Sequence, residues 1–328
     1  MIRALFHLPG KPLRTDIEPA EFQALLSQEA GVLWVDFEGE PPETCEPILQ
    51  GFHFHKLAID DALRQTHSPK VDDWGEYLYI VLNTLRLHPN GLPESPDVDE
   101  LDIFLGHNYL ISHHDAPMEA VSHTWDSCQR DQRHLENGPD HLLYRLLDTM
   151  VAGYMPLVEE IDQRLDSLED QIFERASQDT MEHIFSLKRV LLVMRRILLP
   201  QRELLNKLAR DDYRVIDPKD RVFFRDIYDH LVRLHDLNET LRDLVSGALD
   251  SYLSVVNNRL NEVMKTLTLI TTVFMPITFI TGFFGMNFFE PVAGLVSWTA
   301  RAAFLATLVL LASLPITMYF WLRRRAWV

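Results

Sequence analysis

The chain has 328 residues, enough for one large or two ordinary domains, and a formal net charge of −17. The acid excess belongs to residues 1–264, because from residue 265 onward only Lys265, Arg301, Arg323, Arg324 and Arg325 are basic and only Glu290 is acidic. That argues against a nucleic-acid partner, whose phosphates need a basic footprint; the carboxylates fit cation binding and plain solubility equally well.

In chain order, the first residues lack the basic-then-apolar pattern of a secretory leader. Helical stretches are expected near 19–28 and 56–65. Strands are expected at Val32-Leu33-Trp34-Val35, at Tyr77-Leu78-Tyr79-Ile80-Val81-Leu82, and at Leu101–Leu105 and Tyr109–Ser112, the last two flanking a Gly106-His107-Asn108 turn. The two cysteines, Cys45 and Cys128, are far apart without CxxC spacing, as in a reducing compartment with no disulfide framework. From about residue 117 the pattern turns helical. Ile161, Leu165, Leu168 and Ile172 repeat at helical spacing, as do Ile184, Leu187, Val190, Leu191 and Met194. Gly138-Pro139-Asp140, Ser177-Gln178-Asp179 and Asp217-Pro218 read as helix starts. Residues 218–286 then read as one helix, roughly 100 Å long at 1.5 Å per residue. A helix of that length needs neighbours, so oligomerisation is expected.

Two runs carry no charge, 266–289 and 302–322. Each is long enough to cross a hydrocarbon core of about 30 Å. Lys265 precedes the first and Arg323-Arg324-Arg325 follows the second, which places both flanks in the cytoplasm, against Arg301 on the outer side. The fold class expected is therefore an α+β membrane protein. Residues 1–138 form a cytoplasmic α/β domain and 139–264 a helical bundle with the stalk helix. Residues 265–286 and 301–322 cross the membrane, 287–300 form the outer loop, and 323–328 a basic tail. Both termini are cytoplasmic, in a multi-pass protein of the inner membrane, with lipid as one partner.

One face of the first membrane helix is unusual. Asn261, Met264, Thr268, Thr271, Met275, Thr278, Gly282 and Gly285 follow in steps of three and four. Polar residues in a membrane helix face a partner or a water-filled path, and small residues and Thr also favour tight helix packing. Residue types leave these two readings even. Asn287 falls at the outer end. Its amide oxygen is a neutral donor of the kind a hydrated Mg2+ accepts, and a Gly-Met-Asn end also reads as a helix cap.

The residues Asn261-Glu262-Val263-Met264-Lys265, Phe274-Met275-Pro276-Ile277-Thr278-Phe279-Ile280 and Gly282-Phe283-Phe284-Gly285-Met286-Asn287-Phe288 resemble the CorA family of two-transmembrane divalent-cation channels. The likeness continues upstream through 224–230 and 245–250, and touches His67-Ser68-Pro69-Lys70-Val71. It implies a homopentamer with an axial pore and a selectivity filter at Gly285-Met286-Asn287. Asn261, Met264, Leu267, Thr271, Met275, Thr278 and Gly282 line that pore, where Leu267 replaces Thr268 of the stripe, and Met275 with Leu267 and Met264 forms its constriction. Asp250 forms an acidic ring at the cytoplasmic mouth. Asp61 and Asp226 form an inter-subunit pair that binds regulatory Mg2+.

Phe284 stands where the family commonly has Tyr, and the outer loop offers only Glu290 to attract cations. Mg2+ is the expected substrate, and Zn2+, Co2+ or Ni2+ the alternatives within the family. No Walker-type loop is present, as befits passive flow. A non-conducting membrane-anchored scaffold is the rival of another class. No nucleophile–base constellation points to an enzyme. His53, His55 and His113-His114-Asp115 invite a zinc reading, which needs three or four converging ligands; ordinary surface or core histidines are expected.

Overall fold

The computed structural model describes residues 1–64, 68–85, 97–285 and 301–324. They fall into two compact units, Met1–Leu249 and Asp250–Val328.

The first unit is built on a six-stranded sheet of β1 (Ile2–His7), β2 (Val32–Glu38), β3 (Lys70–Asp73), β4 (Leu78–Leu85), β5 (Val98–Leu105) and β6 (Tyr109–His114), in the order β1-β2-β6-β5-β4-β3. Only β2 and β6 run parallel; the other neighbours are antiparallel. Side chains alternate across the sheet and both faces are covered, which is why β2 and β4 read as near-continuous apolar runs. One face carries Leu33, Val35, Phe37, Tyr79, Val81, Phe104 and Ile111, packed with residues of α1 (Phe22–Leu26), α2 (Pro42–Gly51) and α3 (Lys56–Arg64). On the other face Trp34 meets Trp125 of α4 (Glu119–Arg130), with ring centroids 4.9 Å apart. At the β5–β6 turn a Cβ on Gly106 would run into the Tyr109 ring, so only glycine fits.

The four expected strands are present. Two further strands, β1 and β3, carry weaker signals. β1 pairs with β2 at the sheet edge and adds one bridge from Phe6 to Arg14, and β3 is a four-residue edge strand, Lys-Val-Asp-Asp, whose charges suit an unpaired border. The helix α2 also escaped the pattern because its prolines read as breakers. Pro42 sits in the first turn, where its missing N–H costs nothing, while Pro47 is inside the helix.

Beyond the sheet come α5 (Arg133–Glu136), α6 (Pro139–Ala152), α7 (Tyr154–Arg175) and α8 (Gln178–Arg210). Gly138 takes φ 105 ahead of Pro139, and Ser177 caps α8 by accepting from the Thr180 N–H at 3.2 Å. The link between α7 and α8 is short, and their two apolar series, from Ile161 to Ile172 and from Ile184 to Met194, are buried as the helices pack together. α6 lies on β6, and α8 on β4. Tyr154 donates its hydroxyl to the Asn83 carbonyl at 2.9 Å, tying α7 to β4.

The last described helices are α9 (Arg221–Gly285) and α10 (Arg301–Arg324). α9 starts three residues later than Asp217-Pro218 led us to expect. Residues 218–220 form a turn in which Asp217 accepts from the Lys219 and Asp220 N–H groups, at 3.0 and 2.9 Å. At 1.5 Å per residue, its 65 residues make a helix of about 98 Å. In the second unit, α9 and α10 each contain a stretch long and apolar enough to cross a membrane, and almost none of either stretch is buried within the chain.

Candidate functional site

The second unit exposes most of its large apolar side chains. Met264, Leu267, Phe274, Met275 and Phe279 are each more than half exposed. Among the described residues nothing covers them, as suits a surface that faces lipid or further copies.

Asn261, Met264, Leu267, Thr271, Met275, Thr278, Gly282 and Gly285 all lie on exposed positions of α9. At 100° per residue they fall within roughly a third of the helix circumference. Their local chemistry is specific. Thr271 donates its hydroxyl to the Leu267 carbonyl and Thr278 to the Phe274 carbonyl, both at 2.9 Å. The hydroxyl hydrogen is spent inside the helix, and the oxygen keeps its remaining acceptor capacity. Pro276 cannot donate to the Thr272 carbonyl four residues earlier, which leaves one more oxygen without its helical donor. A Cβ on Gly282 or Gly285 would meet nothing within 4 Å, so packing inside the chain does not require glycine at either.

The face continues toward the N-terminus. Asp250, Ser254 and Asn257 precede Asn261 in steps of four, three and four, and all are exposed. Ser254 and Asn257 lie beyond the stripe read from the sequence, which starts at Asn261. The spacing itself was sufficient to find them. Met286, Asn287 and Glu290 lie outside the described residues.

The two acids expected to regulate sit on separate elements. Asp61, on α3, is half-buried and accepts from the Lys70 ammonium at 2.7 Å; Lys70 also reaches Asp72 at 3.0 Å. Burial pulls Lys70 down, but the hydrogen bonds to Asp61 and Asp72 outweigh it and raise its pKa. Asp226 is exposed on the second turn of α9, where its charge is felt by Tyr144 of α6. Among the described residues no cluster of three or more His, Cys, Asp or Glu could hold a metal ion.

The paired histidines do not converge. On one face of the sheet His113 Nδ1 lies 3.7 Å from Asp102, which also accepts from Tyr79 at 2.6 Å. On the other face His114 Nε2 lies 3.3 Å from the fully buried Asp36. Asp36 also receives Ser112 and the Arg3 guanidinium, the latter at 2.8 Å. Burial pulls His114 down and pushes Asp36 up, but each is outweighed by their mutual attraction, so His114 ends raised and Asp36 lowered. His55 accepts from the Leu57 N–H at 3.2 Å and stacks on Trp74. His113 Nδ1 and His114 Nε2 are buried without a hydrogen-bond partner, and among the described residues neither joins a cluster that could hold a metal ion.

Comparison with known proteins agrees with this layout. The cobalt/magnesium transport protein CorA of Thermotoga maritima is 36% identical over 261 residues, 78% of this chain and 73% of that protein. The zinc transport protein ZntB of Yersinia pestis is 22% identical over 297 residues, 90% of this chain and 88% of that one. The complete structure of the CorA magnesium transporter from Methanocaldococcus jannaschii superposes with a TM-score of 0.84, at 21% identity, over 100% of this chain and 99% of that chain. Residues 29–324 match the family described as CorA-like Mg2+ transporter protein, and the chain belongs to the CorA family of divalent-cation transporters.

Proposed function

We propose that this transporter is a homopentameric channel that takes up Mg2+ across the bacterial inner membrane, with both termini in the cytoplasm. The observation that carries the reading is the exposed oxygen-rich face of α9. It runs from Asp250 through Asn257 and Asn261 to Thr271 and Thr278, interrupted by Met264, Leu267 and Met275. Five copies of that face around an axis make a wall of amide, hydroxyl and carboxylate oxygens with an apolar constriction. At the outer end, the Asn287 amides of the Gly285-Met286-Asn287 filter hold the ion through its water shell, which Mg2+ gives up reluctantly. Glu290 draws cations to the entrance. A doubly charged ion gains about 4.6 kcal/mol per 100 mV of inside-negative potential, so flow needs no ATP.

Regulation places Asp61 of one subunit opposite Asp226 of the next. Two apposed carboxylates repel, and a divalent ion converts the repulsion into a bridge that holds the ring closed. Lys70 is the counter-ion Asp61 falls back on when the bridge empties.

The CorA and ZntB relatives name cobalt and magnesium on one side and zinc on the other. Zn2+, Co2+ and Ni2+ are therefore the second reading of the substrate. Liposomes loaded with this protein and given Mg2+, Co2+, Ni2+ and Zn2+ side by side, with and without a proton gradient, test both. Mg2+ uptake that follows the membrane potential and ignores the proton gradient is expected; proton-dependent Zn2+ uptake without Mg2+ uptake would overturn it. Asn287→Ala is expected to assemble normally and lose flux. If neither protein conducts any ion, the scaffold reading stands.

A further inference from the structure

The first turns of α6 and α9 meet around a buried acid pair. Asp140 lies in the first turn of α6 and is 5% exposed; Asp220 immediately precedes α9 and is 3% exposed. Asp140 accepts two backbone donors, the His141 N–H at 3.0 Å and the Asp217 N–H at 2.8 Å. The Asp220 carboxyl faces that of Asp140, and its Oδ2 is buried with no hydrogen-bond partner. His141 Nδ1 lies 3.8 Å from Asp220 Oδ1. His141 and Tyr144 of α6 seal the junction against Phe223 of α9, with centroids 5.3 and 4.8 Å away.

Two carboxylates brought together away from water do not both stay ionised. The geometry decides which one takes the proton. Asp140 is fed by two N–H donors, which favour its charged form. Asp220 has an oxygen that no donor reaches. We propose that Asp220 carries a proton and donates it to Asp140, and that this shared proton fastens the start of α9 to the start of α6.

The surroundings agree. Burial first, then the charge and hydrogen bond of Asp140, push the Asp220 carboxyl up to about 6. Burial, then Arg145, push His141 down, which disfavours a charged ring beside the pair. Lys219 and Asp217 are engaged with each other at 2.9 Å, and Arg221 is paired with Asp212. A carboxyl with a raised pKa strengthens the folded junction in acid and ceases to do so as pH rises through that value. The junction is therefore firmest below the ordinary value of 3.8 and has lost that contribution by about pH 6. The inference does not depend on which ion the protein carries.

Hydrogen–deuterium exchange of the full chain in lipid nanodiscs tests it, corrected for intrinsic exchange and read at the first turns of α6 and α9 with β4 and β5 as reference. In the unmodified protein, protection at both turns should fall as pH rises from about 4 and level off near pH 6. In Asp220→Asn, whose amide donates at every pH, it should stay flat. In Asp140→Asn the levelling-off should move down by about one pH unit or more, because the neighbouring charge is gone. Difference infrared spectra should show a protonated-carboxyl C=O band that titrates near pH 6 and is absent from Asp220→Asn. A pH-independent junction, or a band that survives in Asp220→Asn, overturns the proposal. If Asp220→Asn does not fold, Asp140→Asn decides alone, and an unmoved levelling-off sinks the idea.

Discussion

The two units treat apolar surface in opposite ways. In Met1–Leu249 the sheet and helices cover each other, and Trp34, Tyr79 and Phe104 are completely buried. In the second unit Phe279 is 73% exposed, Met275 67% and Val309 65%. The first unit buries a core of its own. The second makes sense only with a different solvent around it or other copies of itself against it. Stability and transport should therefore respond to different residues.

The largest expected contrast sets two phenylalanines against each other. Phe104→Ala opens a cavity in the sheet core and should cost about 3–5 kcal/mol, read as an earlier thermal melt of the full chain in detergent. Phe279→Ala should stay within about 0.5 kcal/mol in the same melt. Equal losses would erase the contrast.

Next in size is the buried Asp36–His114 contact. The His114 pKa is raised above its ordinary 6.5. Its contribution is therefore complete below 6.5 and lost as pH rises through the raised value. Asp36 is lowered from 3.8, so its contribution holds above 3.8 and fails as pH falls through the lowered value. His114→Gln should cost about 1–2 kcal/mol in mild acid, with the difference from wild type shrinking as pH rises above the ordinary 6.5. Denaturation midpoints across pH check this, and a constant difference would contradict it.

Thr278→Val tests the other side of the contrast. It keeps the shape of the side chain and removes one oxygen from the proposed pore face. Uptake should fall by up to about tenfold, some 1.4 kcal/mol, with the melt unchanged. A loss of stability in place of flux would make Thr278 a packing residue. The smallest effect concerns Lys70→Met. With the Lys70 ammonium gone, Asp61 should bind regulatory Mg2+ more readily, and half-inhibition of flux should move a few-fold lower in internal Mg2+, a difference of under about 1 kcal/mol. No shift would separate Asp61 from the control of transport.

Legibility followed the same divide. The central strands were readable because burial on both faces leaves long apolar runs, as in β2 and β4. The short charged edge strand β3 and the proline-bearing α2 were hidden because their residues answer to border and turn chemistry more than to periodicity. Ser177 announced its helix because its cap is local. The candidate pore face was half legible. Threonines and glycines at helical spacing marked it, but residue types could not choose between packing and conduction; that depends on neighbours no single chain contains. The acid junction of Asp140 and Asp220 was invisible, since 80 positions separate two residues that meet only through the packing of α6 and α9.

The threonines of α9 have one more consequence. Thr271 and Thr278 have turned their hydroxyl hydrogens inward to the Leu267 and Phe274 carbonyls, so at those two positions the face offers lone pairs and no hydroxyl hydrogen. Water around a cation points its hydrogens outward, and water around an anion points its oxygens outward. Such a wall welcomes the first shell and turns away the second. In the proposed pore these two threonines favour cations without titrating, and so at any pH.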